Sequence, residues 1–273
     1  MSRVTVSITD GVAEVRLNRP DRRNAVDEGM FVGILEAAAQ VRQDPSIRAI
    51  VLSGEGAAFC GGMDTSSFDL MRADGRSAEW RPADADETAA EIIDVDGLAL
   101  GRGQRAVLAW TTMLVPVIAA VQGAAVGLGL QLALGADIRI VTPDATLGAF
   151  EIRWGLAPDS CGTQLLPALV GFDHAMELCA TGRRVSGEEA LSIGLATRLA
   201  EDPRAAALEL ARTIAGRNPE AVASIVRLLR AGRPQLDQAA LIAERTEMFA
   251  NIGSGYQREA VAAAREGRDP VFD

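Results

Sequence analysis

The chain has 273 residues, 48% of them hydrophobic, with a formal net charge of −10 and its positive charge carried by arginine. That balance argues against a nucleic-acid surface, which needs clustered Lys and Arg, and no apolar run reaches the ~20 residues that cross a bilayer, so a globular protein binding neither is expected. Cys60, Cys161 and Cys179 at wide spacing, with one histidine and no CxxC, predict reduced thiols in a cytoplasmic protein and no Cys/His metal site.

Residues 3–17 alternate apolar and polar on both sides of Asp10-Gly11, which predicts a β-hairpin. This opening lacks the basic segment and apolar core of a signal peptide. Asp27 is placed to cap a helix that carries Phe31, Ile34, Leu35, Ala38 and Val41 at helical spacing and stops at Asp44-Pro45. Residues 47–52 read as a buried strand running into a first glycine-rich loop, SGEGAAFCGGMD. From about Thr65 to Arg105 the composition turns polar and acidic, which predicts a solvated loop and helix, either a lid or pocket wall or a surface insertion.

AVLAWTTMLVP reads as a helix ended by Pro116. The next stretch predicts a buried strand over 117–121, a tight loop punctuated by Gly123, Gly127 and Gly129, and a helix. A glycine-rich turn before a helix leaves backbone N–H groups uncovered, so it presents donors to an anionic oxygen; the alternative is a packing loop in which glycine lets a helix lie close to a sheet. Beyond Leu156 come two amphipathic helices around a short turn, and residues 203–267 carry helical patterning broken at Asn218-Pro219, at 232–234 and at 253–255.

Several chemistries drop out. From Gly127 and Gly129 the third glycine of a dinucleotide fingerprint falls on Leu132, and there is no GK[ST] phosphate loop. Cys60 has no basic residue near it in sequence to activate a thiolate, so packing is expected; His174, beside Phe172-Asp173, reads as structural.

The two glycine loops, each after an apolar strand, followed by LGAFEIRWGLAPDSCGTQLLPALVG, resemble the crotonase superfamily, the enoyl-CoA hydratase and isomerase family. The likeness spans about residues 4–200 and includes NRPDRRNAVD and ATGRRVSGEEALSIGLATRL. It implies an α/β fold: a crotonase-like spiral of β-β-α units over residues 1–200 holding an acyl-CoA site, then a helical C-terminal region, 201–273, for association and covering of the site. It also implies a homotrimer or a dimer of trimers, acyl-coenzyme A thioesters as substrates, and no cofactor, since coenzyme A enters as part of the substrate.

The family's oxyanion hole, two backbone N–H groups, maps onto Met63 in CGGMD and Leu128 in VGLGL, where members usually carry glycine. Substrate contacts map onto Arg22, Arg23 and Ala25 in the first loop, Gly61, Gly62 and Asp64 around the first donor, Gly127 before the second, and Trp154. Arg22 and Arg23 suit the phosphates of coenzyme A and equally suit solvent. Of the two glutamates of the family's hydratases, Glu151 in FEIRWG matches the second, while Gln131 stands at the first. Glutamine exchanges no proton at neutral pH. Asp159, eight residues after Glu151, resembles part of the dienoyl-CoA isomerase pattern and otherwise reads as a cap for a helix starting at 160–162. The expectation is therefore double-bond isomerisation with Glu151 as acid–base, desolvated by Phe150, Ile152 and Trp154. The alternatives are hydration by Glu151 with Gln131 orienting water, the hydroxycinnamoyl-CoA hydratase-lyase reaction, whose enzymes also lack the first glutamate, and an acyl-CoA-binding paralogue with little turnover.

Overall fold

The computed structural model describes residues 2–65, 100–234 and 236–272. The acidic segment therefore lies, for residues 66–99, outside the described residues.

Strands β1 (Val4–Thr9) and β2 (Val12–Leu17) form the expected hairpin. Asp10 and Gly11 both take positive φ, 51° and 76°, the twist that matches a two-residue turn to its flanking strands. Helix α1 (Glu28–Gln43) starts where Asp27 accepts a hydrogen bond from the Met30 N–H and crosses to β3 (Ala49–Gly54), parallel to β2. Helix α2 (Arg102–Thr111) then leads to β4 (Val117–Val121). This helix stops at Thr111 and not at Pro116. The Arg42 guanidinium takes the Ala109 and Thr112 carbonyls, and the Thr112 hydroxyl takes that of Leu108, so the last turn is satisfied before the proline is reached.

After β4 the chain makes an element absent from the sequence reading, the short strand β5 (Ala124–Val126), before helix α3 (Leu128–Leu134). Then β6 (Ile138–Val141) returns beside β4, and β7 (Thr146–Gly148) beside β5. After helices α4 (Gly162–Val170) and α5 (Phe172–Thr181) come β8 (Val185–Ser186), helix α6 (Gly187–Ser192) and β9 (Arg198–Leu199). Two sheets result among the described residues, β1-β2-β3-β4-β6-β9 and β5-β7-β8, parallel except at β1-β2 and β7-β8. From β4 to β7 the chain alternates between them, strand to the large sheet and strand to the small one, then helix, which is the β-β-α turn made twice.

The large sheet is covered on both faces. Val51, Ile118, Ala120 and Ile140 meet Ala207 and Ala211 of helix α7 (Pro203–Ala215), while Ile50, Leu52, Val117 and Ala119 face the main core with α1, α2 and α3. Burial of both faces explains why these strands read as unbroken apolar runs without alternation. Helices α8 (Pro219–Ala231), α9 (Gln238–Asn251) and α10 (Gly255–Glu266) complete the chain, each capped by the side chain just before it, Asn218, Asp237 and Ser254. None of the described helices is long and apolar enough to cross a membrane.

Candidate active site

Two glycine loops meet because a parallel bridge joins Cys60 to Ala125, with the Cys60 N–H on the Ala124 carbonyl and the Val126 N–H on that of Cys60. Met63 and Leu128 each lie three residues past that bridge, so the chain brings them up side by side. At Met63 the neighbouring backbone is spoken for: Val26 donates to the Gly62 carbonyl and accepts from the Asp64 N–H. A residue bridged in this way turns its own N–H to the opposite side. Leu128 is the first residue of α3, where no intrahelical acceptor exists. Among the described residues neither N–H has an acceptor. The Leu128 side chain packs into the main core, so the bulk that glycine avoids points away from the loop surface.

The glycines are required by contact. A Cβ at Gly62, where φ is +87°, would sit 2.7 Å from the Val126 carbonyl oxygen, and one at Gly129 2.3 Å from that of Cys60. Both distances are closer than real Cβ atoms come, so any larger residue pushes the two loops apart.

Glu151 opens a 3-10 turn (Glu151–Trp154) directly after β7, and its carboxyl lies against Gly127. It is 8% exposed. Oε1 accepts a 2.7 Å hydrogen bond from Gln131 Nε2, while Oε2 is buried with no partner among the described residues. Burial pushes the Glu151 carboxyl up to about 7, helped by the charge of Asp159 and opposed by its own backbone N–H and Gln131. Two of the sequence neighbours expected to desolvate it are partly turned to other surroundings. Ile152 is 41% exposed, and the Phe150 ring lies 3.7 Å from the Arg153 guanidinium. Gly127 and Gln131, brought in by the fold, lie against the carboxyl.

Gln131 is buried and its orientation is fixed. Oε1 accepts from the Ser160 and Gly162 N–H groups, both at 2.9 Å, which leaves Nε2 to face Glu151. Asp159 is not the cap of α4; the residue at that position is Cys161, and Asp159 Oδ1 accepts from the Ser160 hydroxyl. Burial lifts Asp159 to about 6, with the Glu244 carboxylate adding to the lift and Ser160 and Arg245 opposing it.

The remaining predicted contacts separate. Gly61 and Ala25 are tied into the donor loop through the Arg23 carbonyl and Arg19 respectively, and Asp64 accepts from Arg19 at 2.6 Å. Arg22 and Arg23 are exposed on the same loop. Trp154 packs with Leu156 against Met248 and Ile252 at the C-terminal end of α9. Cys60 is buried, its thiol pushed up to about 12 by desolvation, and His174 Nδ1 meets the Val170 carbonyl.

Sequence reading missed Asn24 and Glu244. Asn24 is fully buried with φ at 55°; Nδ2 reaches the Glu55, Ala58 and Phe59 carbonyls, and Oδ1 accepts from the Arg19 N–H. It holds the loop that leads to Met63. The only signal was its residue type, one that tolerates left-handed backbone. Glu244 touches the start of α4 from 83 residues away, and nothing in sequence marks it.

The family profile described as "Enoyl-CoA hydratase/isomerase" matches residues 7–273. A probable enoyl-CoA hydratase of Mycobacterium bovis is 36% identical over 96% of this chain and 89% of its own. The peroxisomal Delta(3,5)-Delta(2,4)-dienoyl-CoA isomerase of Arabidopsis thaliana is 30% identical over 94% and 90%. Among solved structures, an enoyl-CoA hydratase from Mycobacterium avium subsp. paratuberculosis superimposes with a TM-score of 0.81 at 25% identity, over 99% of this chain and 98% of its own.

Proposed function

Because the chain belongs to the enoyl-CoA hydratase/isomerase family, we propose that it binds an acyl-CoA thioester and moves a double bond along the enoyl or dienoyl chain. Glu151 takes a proton from C2 of a 3-enoyl thioester, the electron pair passes to the thioester oxygen, and the Met63 and Leu128 N–H groups stabilise that oxyanion. The same carboxyl returns the proton to C4, so C3=C4 becomes C2=C3 and nothing is gained or lost. Fixed donors need no reorganisation as charge develops, and one such donor is worth roughly 10²- to 10³-fold in rate.

The observation that carries this reading is the Gln131–Glu151 pair. One carboxyl oxygen is engaged and the other is bare in a buried setting, so a single base with a pKa near neutrality is poised to exchange a proton. Hydration by two carboxylates needs a second proton carrier facing the first. Here the facing group is the Gln131 amide, with Nε2 toward Glu151 and Oε1 already accepting two backbone N–H groups. Asp159, held near neutrality, is the candidate for the distant proton of a dienoyl chain. Hydration of a 2-enoyl-CoA by Glu151 alone is the second reading, favoured by the hydratase relatives.

Arg22 and Arg23, exposed beside the donor loop, are assigned to the coenzyme A phosphates, and no other cofactor is invoked. Residues 201–273 are assigned to association as a trimer or pair of trimers, a role supported by Ile225, Leu228 and Leu229 standing exposed on α8; light scattering tests it. The reaction is tested by incubating the protein with 3-enoyl-, 3,5-dienoyl- and 2-enoyl-CoA in heavy water, with Glu151→Gln alongside. Isomerised, deuterated product that disappears in the variant is expected. Activity surviving Glu151→Gln overturns the mechanism, water addition alone moves the reading to hydration, and binding without any exchange leaves an acyl-CoA-binding scaffold.

A further inference from the structure

The backbone entering α4 offers four successive N–H groups, from Ser160 to Thr163, and two side chains divide them alternately. Gln131 Oε1 takes Ser160 and Gly162. Glu244, from α9, takes Cys161 through Oε2 at 2.9 Å and Thr163 through Oε1 at 3.1 Å, and the Thr163 hydroxyl adds a third bond at 2.5 Å. Cys161, in the middle of this run, sits at φ 68°. Glu244 is 5% exposed, and Gln104 Nε2 donates a further bond to its Oε2 at 3.0 Å, while the same nitrogen holds the Leu241 carbonyl. The carboxyl thus accepts four donors at the positive end of a helix, where negative charge is favoured.

We propose that Glu244 is a positioning residue for Glu151, acting through the first turn of α4 and the Gln131 amide. The inference rests on Glu151 being the acid–base group. The chain of contact is continuous. Glu244 fixes Cys161 and Thr163, the turn so fixed aims Ser160 and Gly162 at Gln131 Oε1, and that grip presents Nε2 to Glu151. The fit is tight, since a Cβ at Gly162 would stand 2.5 Å from Gln131 Oε1 and one at Gly103 of α2 would stand 2.0 Å from the Ser160 hydroxyl. Glu244 meets neither Gln131 nor Glu151 in any described hydrogen bond, so beside the charge it shares with Asp159 its contact with the reacting carboxyl runs through the α4 turn. The C-terminal helical region therefore reaches the Gln131–Glu151 pair through the α4 turn.

Two variants test this. Glu244→Gln keeps the shape but sets an amide nitrogen against donors, and Thr163→Val removes only the hydroxyl bond. Residue-resolved amide exchange of the unliganded protein by NMR reads the mooring of Gln131. Ser160 and Gly162, which Glu244 does not touch, exchange about tenfold faster in Glu244→Gln, the equivalent of one lost hydrogen bond, and change in the same sense but less in Thr163→Val. The Gly127 amide, bonded to the Gly148 carbonyl, stays as it was. Turnover of 3-hexenoyl-CoA then shows kcat reduced roughly 10- to 100-fold, the cost of misplacing a reacting group, with KM unchanged. A folded Glu244→Gln protein with unaltered exchange at Ser160 and Gly162, or with unaltered kcat, overturns the proposal. Where that variant does not fold, Thr163→Val decides in the same terms. A wild-type protein inert on every thioester sinks the functional reading, while the exchange comparison still decides whether Glu244 moors Gln131.

Discussion

Replacing Glu151 by Gln is expected to stop the reaction and, above neutral pH, to stabilise the fold. The carboxyl is held at about 7 in the folded protein against 4.5 for an ordinary glutamate. Between those values the folded chain keeps a proton that the unfolded chain gives up. The folded state therefore binds more protons, and stability falls as pH rises through this window, by ~1.4 kcal/mol per pH step. Below 4.5 both states are protonated and the group costs nothing; above about 7 both are ionised and the loss, about 3 kcal/mol in all, is constant. The amide that replaces the carboxyl would carry no charge at any pH, and its carbonyl oxygen still accepts from Gln131. The variant should thus gain on the wild type by about 2 to 3 kcal/mol between pH 5 and pH 8. Urea denaturation of both proteins at the two pH values measures the difference, and Asp159, present in both, cancels to first order. Parallel stability–pH curves would show that Glu151 ionises as an ordinary solvated carboxyl, and the desolvated base would then be refuted.

Three further outcomes follow from the same geometry. The rate of proton exchange from bound thioester should rise as pH passes about 7, because only the ionised Glu151 accepts a proton; a profile already flat from pH 5 upward contradicts this. Gly129→Ala places a methyl 2.3 Å from the Cys60 carbonyl oxygen and forces the donor loops apart, so turnover should fall by roughly 10²-fold or more, checked by steady-state kinetics with circular dichroism confirming the fold. Asn24→Ala leaves the Glu55, Ala58 and Phe59 carbonyls without their shared donor and puts alanine at positive φ, a loss of about 2 to 4 kcal/mol measurable as a lowered Tm; an unchanged Tm shows that the loop holds itself.

Much of the architecture was legible because local chemistry fixed it. Asp10-Gly11 admits the backbone of a tight hairpin, Asp27 accepts from the first turn of the helix it precedes, and the breaks at Asn218-Pro219 and 253–255 fall at helix ends. β5 escaped notice because three residues between glycines carry no periodicity of their own; they become a strand only by pairing with β7. The length of α2 was misjudged since Arg42, far off in sequence, closes its last turn.

At the candidate site the division is the same. Glycine loops after apolar strands marked where unpartnered backbone N–H groups lie, and Gln131, at the first of the two glutamate positions that the family resemblance implies, marked the missing carboxylate. Residue types and order suffice for that much. What the sequence left open was which atoms face which. The Cys60–Ala125 bridge aligns Met63 with Leu128, the N–H groups of Ser160 and Gly162 turn the Gln131 amide, and Glu244 arrives from a helix whose pattern shows only amphipathy. Burial of Glu151 likewise came from distant chain and not from Ile152 beside it. Hydrogen-bond direction and desolvation are properties of three-dimensional neighbours, so the tertiary structure alone decided how the carboxyl is oriented and how readily it holds its proton.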